Sequence, residues 1–221
     1  MPGRSVVIGV VGKSDGCPTK AYDDALLVGA ELTARGAVVL TGGSPDETKR
    51  TVKKGALERA GRQVSVLPGG GRGCVLENGR LRFQTSMSSH ARNLLTGQVP
   101  DALIAVGGGT GTLSEVACAL LAGRGVVLLG EASKDVTSSG LTTIRTGIAT
   151  YWNADEVVHF DTDPQALLRA CTVATSPEQA AAEAMKFGAA RGGRWDWAPE
   201  KHPELHTVFR TFKALLHDLC A

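Results

Sequence analysis

Ala102-Leu103-Ile104-Ala105-Val106-Gly107-Gly108-Gly109-Thr110-Gly111-Thr112-Leu113-Ser114-Glu115 is the stretch on which the fold turns. Five apolar residues in succession suit a strand buried on both faces. Four glycines and two threonines then fill six positions, and residues 116–122 resume as a helix. A strand that ends in glycines and turns into a helix leaves bare backbone N–H groups at the helix N-terminus. Those orphan donors and the positive end of the helix dipole attract phosphate. Gly108, Gly109 and Gly111 supply the close backbone approach, and Thr110 and Thr112 add hydroxyl donors. Glu115 stands early in the helix, placed either to face a sugar or base or to satisfy the helix N-terminus. One or two glycines serve a plain strand–helix turn, so this density points to a phosphate ligand.

The pattern repeats in both directions. Short β-branched runs at 5–11, 37–41, 64–67, 102–106, 125–129 and 156–160 alternate with helical stretches at 21–34, 47–60, 87–95, 112–122 and 141–150. This alternation predicts an α/β, Rossmann-like, doubly wound and mainly parallel sheet flanked by helices. Ligands of such sheets collect at the carboxyl ends of the strands, where the strand order reverses. Two more strand ends carry suitable residues: Gly12, Lys13 and Ser14 after the first strand, Gly42 and Gly43 after the second. If these strands adjoin the glycine loop, all three loops share one crevice and Lys13 is placed to neutralise phosphate. Residues 74–83 read as a hairpin around Asn78-Gly79, and glycine-rich 69–73 as a lip beside the site.

The last fifth changes character. Ser176-Pro177-Glu178-Gln179 combines an N-cap, a proline at the first helical position and a capping-box glutamine. A connector containing Trp195 and Trp197 follows, both read as packing anchors. A final amphipathic helix then aligns Leu205, Val208, Phe209, Phe212, Leu215, Leu216 and Leu219. The expected organisation is a nucleotide- or phosphate-binding domain over 1–173 and a helical extension over 174–221, packed on that domain or on a partner subunit.

Composition narrows the function classes. A formal net charge of +2 and a pI near 8.3 give little electrostatic pull toward nucleic acid or membrane surfaces. Aromatics at 5% are too few for a base-stacking platform. The five cysteines are scattered without a C-x-x-C pair, which suits reduced thiols in a cytoplasmic protein. The N-terminus shows no signal-peptide pattern, and no apolar run reaches the ~18 residues of a membrane span. No metal site is expected; His202 and His206 flank a proline and read as a solvated helix start.

Upstream of the decisive stretch lies Ser88-Ser89-His90-Ala91-Arg92-Asn93-Leu94-Leu95, and Arg92 precedes Gly107 by fifteen residues. With that spacing the chain resembles the Rossmann-like superfamily of the LONELY GUY phosphoribohydrolases, which carry H-x-R-K and then P-G-G-x-G-T-x-x-E. His90 matches the family's histidine, Arg92 its catalytic arginine and Glu115 its catalytic glutamate. Asp101 falls where the family has Ser-Asp, and Gly42-Gly43 and Gly55-Ala56 echo its upstream glycines. The resemblance spans roughly residues 5–131. In two places the chain departs from the pattern: Gly107 stands for the proline and Asn93 for the lysine. Both make it similar to a sister branch, the molybdenum-cofactor carrier-like proteins, which bind a phosphorylated pterin.

The resemblance implies two functions. One is hydrolysis of the N-glycosidic bond of a nucleoside 5′-monophosphate to free base and ribose 5-phosphate, with no cofactor required. Glu115 would then stabilise the developing oxocarbenium ion and Arg92 would assist the leaving base. The other is a non-catalytic carrier whose ligand is the molybdenum cofactor, with Asn93, Arg92 and Glu115 as recognition or scaffold residues. Either way the partners expected are a phosphorylated small molecule and further copies of the chain, as a homodimer or larger assembly.

Overall fold

The computed structural model describes residues 5–12, 19–43, 47–108, 110–129, 171–191 and 206–220. The elements are β1 (Val7–Gly12), α1 (Thr19–Ala34), β2 (Val38–Thr41), α2 (Glu47–Glu58), β3 (Gln63–Leu67), β4 (Arg72–Glu77) and β5 (Arg80–Thr85). They continue with α3 (Ser89–Gln98), β6 (Ala102–Val106), α4 (Thr110–Leu121), β7 (Gly125–Leu129), β8 (Cys171–Ala174), α5 (Pro177–Ala190) and α6 (His206–Cys220). The expected strand at 156–160 and helix at 141–150 lie outside the described residues, as do Trp195, Trp197 and Leu205.

All the described strands form one sheet in the order β4-β5-β3-β2-β1-β6-β7-β8. Every pairing is parallel except β4 with β5, the hairpin closed by Asn78 and Gly79. Both turn residues have positive φ, 48° and 71°, as the twist-matched two-residue hairpin turn demands. The α/β, doubly wound, Rossmann-like sheet is therefore present. β1 is its switch point: β2 lies on one side and β6 on the other, with Gly12 level with Val106.

Alternate residues of the central strands serve opposite faces, as the period of two requires. Ile8, Val10, Val39 and Ile104 meet α1, α2 and α5 on one face. On the other, Val11, Leu103 and Ala105 meet α4, while Val7, Leu40, Val64 and Phe83 meet α3 and α6. α1 and α2 approach closely because Gly29 and Gly55 have no side chains. A Cβ at Gly55 would lie 2.0 Å from the Leu26 carbonyl oxygen. The Gly55-Ala56 pair is thus a helix-packing point.

α5 starts as its sequence indicates: the Ser176 hydroxyl accepts from the Gln179 N–H at 3.2 Å. The Gln179 side chain reaches one residue beyond the cap, accepting from the Thr175 N–H at 2.8 Å. Of the expected stripe of α6, Phe212, Leu215, Leu216 and Leu219 pack on the chain's own sheet, with Phe212 stacked on Phe83 at 4.4 Å between ring centroids. Arg62 secures the end of α6 by donating to the Leu219 carbonyl at 2.7 Å and to the Ser5 hydroxyl. A cation at a helix C-terminus also meets the negative end of the dipole. Among the described residues no helix is long and apolar enough to cross a membrane.

Candidate functional site

The order β2-β1-β6 brings Gly43, Gly12 and Gly107-Gly108 to one edge of the sheet, the carboxyl ends of three adjacent parallel strands. Lys13, Ser14 and Gly109 lie outside the described residues. Gly107 takes a φ of 64°, a conformation glycine adopts without penalty, and its N–H points to the Leu129 carbonyl at 3.3 Å. A proline, fixed near −65° and lacking the N–H, fits neither feature. The departure from P-G-G to G-G-G therefore changes the backbone at the mouth of the loop. Among the described residues a Cβ at Gly108 would meet nothing within 4 Å, at the entrance to α4. α4 begins at Thr110, whose partner in the motif, Thr112, is buried in the first turn.

Arg92, Asn93 and Glu115 meet behind that turn. The Ser88 hydroxyl accepts from the Ala91 N–H at 3.2 Å and starts α3. This sets Arg92 and Thr96, four apart, on one helix face, with Asn93 and Gly97 beside them. That face packs against α4 because Gly97 lacks a side chain. A Cβ there would lie 2.6 Å from the Glu115 carbonyl oxygen and 2.8 Å from the Cys118 Cβ.

The contact encloses a polar cluster. Arg92 and Glu115 are each only 2% exposed, and Thr96 is fully buried. Glu115 Oε1 accepts from the Thr96 hydroxyl at 2.9 Å and lies 3.5 Å from Arg92 Nη1. The hydroxyl makes the shorter bond, and the guanidinium supplies the opposing charge. Thr96 also lies 3.0 Å from the Asn93 carbonyl, so one side chain ties both helices together. Asn93 Nδ2 donates to Ser114 Oγ at 2.7 Å and approaches the Gly111 carbonyl at 3.4 Å. Its amide is directed onto the first turn of α4. The Cys118 thiol, nearby on α4, is pushed above its ordinary pKa, first by burial and then by the Glu115 carboxylate.

Sequence reasoning missed Thr96, Gly97 and Ser114. The signal for Thr96 was its position one turn after Arg92. Of the other motif residues, His90 is exposed at the start of α3. Asp101 lies at the opposite end of the sheet, where its carboxylate accepts from the Val7 N–H at 2.9 Å.

The family model described as SLOG cluster4 matches residues 5–160. The chain belongs to the SLOG cluster4 family. An uncharacterized protein of Archaeoglobus fulgidus is 38% identical over 122 residues, 55% of this SLOG cluster4 chain and 78% of that relative. Among solved structures, the molybdenum cofactor binding protein of the phototrophic bacterium Rippkaea orientalis is similar at a TM-score of 0.63 and 27% identity, covering 83% of this chain and 96% of that one. The molybdenum cofactor carrier protein of Chlamydomonas reinhardtii is similar at a TM-score of 0.63 and 26% identity, covering 84% and 99%. These findings and the motif pair place the SLOG cluster4 chain in the LONELY GUY and molybdenum-cofactor-carrier superfamily.

Proposed function

We propose that this protein binds and carries a phosphorylated pterin, the molybdenum cofactor, gripping its phosphate at the carboxyl edge of β1, β2 and β6. The burial of Glu115 carries this reading. A carboxylate that stabilises an oxocarbenium ion must reach the anomeric carbon of a bound sugar. Here it is 2% exposed and bonded to Thr96 between two helices. Similarity to a molybdenum cofactor binding protein and a molybdenum cofactor carrier protein supports the same ligand.

In this reading the N–H groups of Gly108, Gly109 and Gly111 and the α4 dipole hold the phosphate, with the Thr110 and Thr112 hydroxyls beside them. Gly12 and Gly42-Gly43 keep the adjoining strand ends low, and Lys13 and Ser14 add a cation and a hydroxyl. Among the described residues nothing crowds a Cβ at Gly108, which is the space a phosphate needs. Arg92, Asn93 and Glu115 act as positioning residues that fix the first turn of α4, so its donors are aimed before the ligand arrives.

The Arg92–Glu115 contact at 3.5 Å favours one competing reading, hydrolysis of a nucleoside 5′-monophosphate by that pair. One experiment separates the two. The purified chain is titrated with molybdopterin released from a molybdoenzyme and, separately, incubated with a panel of nucleoside 5′-monophosphates scored for free base. The carrier reading expects pterin binding and no base release. It also expects Gly108→Ala to weaken binding at least tenfold with an unchanged melting temperature, because the added methyl meets none of the described residues. Base release that disappears in Glu115→Gln would overturn it in favour of the hydrolase.

A further inference from the structure

A groove lined by basic side chains lies away from the glycine loop. α2 presents Arg50, Lys53, Lys54 and Leu57 at helical spacing i, i+3, i+4 and i+7, on one stripe. In most surface helices of a folded domain such a stripe is apolar and turned to the core. Here it borders a groove of about 610 Å³, whose other wall is β3 and the β4–β5 hairpin. Strand register explains that wall. Val64, Val66, Leu81 and Phe83 turn inward to α6, so the alternate residues point to the opposite face. Arg80 lies level with Gln63 and Glu77, and Arg82 level with Ser65 and Val75.

Arg50, Lys53, Lys54, Arg80 and Arg82 line the groove together with Glu77, and Glu58 lies 3.9 Å from Lys54. Glu77 is placed 3.4 Å from Arg82 and offsets its charge. A concave site with low-dielectric walls focuses the field of such cations on an anion.

We propose that this groove binds a small polyphosphate-bearing molecule, spanning from the α2 cations to Arg80 and Arg82. Cations on two facing walls suit a ligand with several anionic groups better than a single phosphate. The volume is that of an ordinary small-molecule site. Among the described residues no aromatic side chain lines the groove, so they supply no platform for stacking the bases of a single strand. Asn78 offers an amide beside the arginines, while Gln63 Nε2 donates to the Lys53 carbonyl at 2.9 Å and fixes α2 against β3.

The test is calorimetric titration of the full chain with inorganic tripolyphosphate and with orthophosphate at low salt. The proposal expects a tripolyphosphate site, separate from any binding at the glycine loop, that is at least tenfold tighter than orthophosphate. The double variant R80E/R82E should weaken it at least tenfold, and R80Q/R82Q by an intermediate factor. Both arginines are exposed, and circular dichroism checks that each variant folds. Gly108→Ala should leave this binding unchanged. Equal affinity in wild type and R80E/R82E, no tripolyphosphate binding, or loss in Gly108→Ala instead would each overturn the proposal. So would a single-stranded oligonucleotide that binds through the same arginines more tightly than tripolyphosphate.

Discussion

Glu115 shows how much a single buried carboxylate depends on its partners. Its Oε1 takes the Thr96 hydroxyl at 2.9 Å and faces Arg92 Nη1 at 3.5 Å, with both charged side chains 3% exposed. Desolvating two charges is expensive, so such a pair contributes little net stability while intact, yet removing one partner strands the other. Glu115→Ala is expected to destabilise the protein by about 3–5 kcal/mol in denaturant titration, far beyond a surface substitution. Thr96→Val keeps the shape and removes the bridging hydroxyl; a loss of about 1–3 kcal/mol is expected. The residue that separates this chain from the proline-bearing loop makes a sharper case. Gly107→Pro demands a negative φ where the backbone has +64° and deletes the N–H aimed at Leu129. It is expected to cost more than about 1 kcal/mol. A melting temperature equal to wild type would show that the loop can adopt the P-G-G conformation after all.

At the scale of elements, the site is a product of how closely α3 and α4 pack. Gly97 sets that distance, since a Cβ there would sit 2.6 Å from the backbone oxygen of Glu115. Backbone cannot yield as a flexible side chain does, so Gly97→Ala must part the two helices. The expected result is a loss of about 1–3 kcal/mol together with weaker ligand binding, because the Arg92, Thr96 and Asn93 contacts all cross this seam. Unchanged stability and affinity would show that the seam does not aim the loop. The same seam marks where sequence reading ran out. The strand and glycine loop were legible because Ala102–Val106 is a continuous apolar run and glycine density has few other uses. The hairpin was legible because Asn78-Gly79 names its own turn. The burial of Arg92 was not: an arginine in a helix reads as solvated, and only the bare face of Gly97 lets α4 cover it. β8 was missed because Cys171-Thr172-Val173-Ala174 is four residues long with an exposed Val173, too short and mixed to show a period.

For the whole molecule, α5 and α6 close opposite faces of the sheet, which makes Ala180, Ala181 and Ala184 part of one core and Phe212, Leu216 and Leu219 part of the other. Among the described strands the two edges are β4 and β8, and each carries a thiol. Burial pushes Cys74 on β4 and Cys171 on β8 up from 9.0 to about 11. An unfolded chain therefore releases these protons near pH 9 while the folded chain retains them. Stability contributed by the neutral thiols is fully present below pH 9 and is lost as pH rises toward 11. For Cys171 a two-unit difference corresponds to about 2–3 kcal/mol at the upper limit, and for the more exposed Cys74 to less, because solvent screens it. Lysines and tyrosines also titrate in this range, so the informative quantity is a difference between variants. Thermal melts of wild type and of Cys74→Ala/Cys171→Ala at pH 8 and pH 10.5 measure it. The wild type should lose more melting temperature across that interval than the double variant. Equal losses would mean that neither thiol is protected by the edges of the sheet.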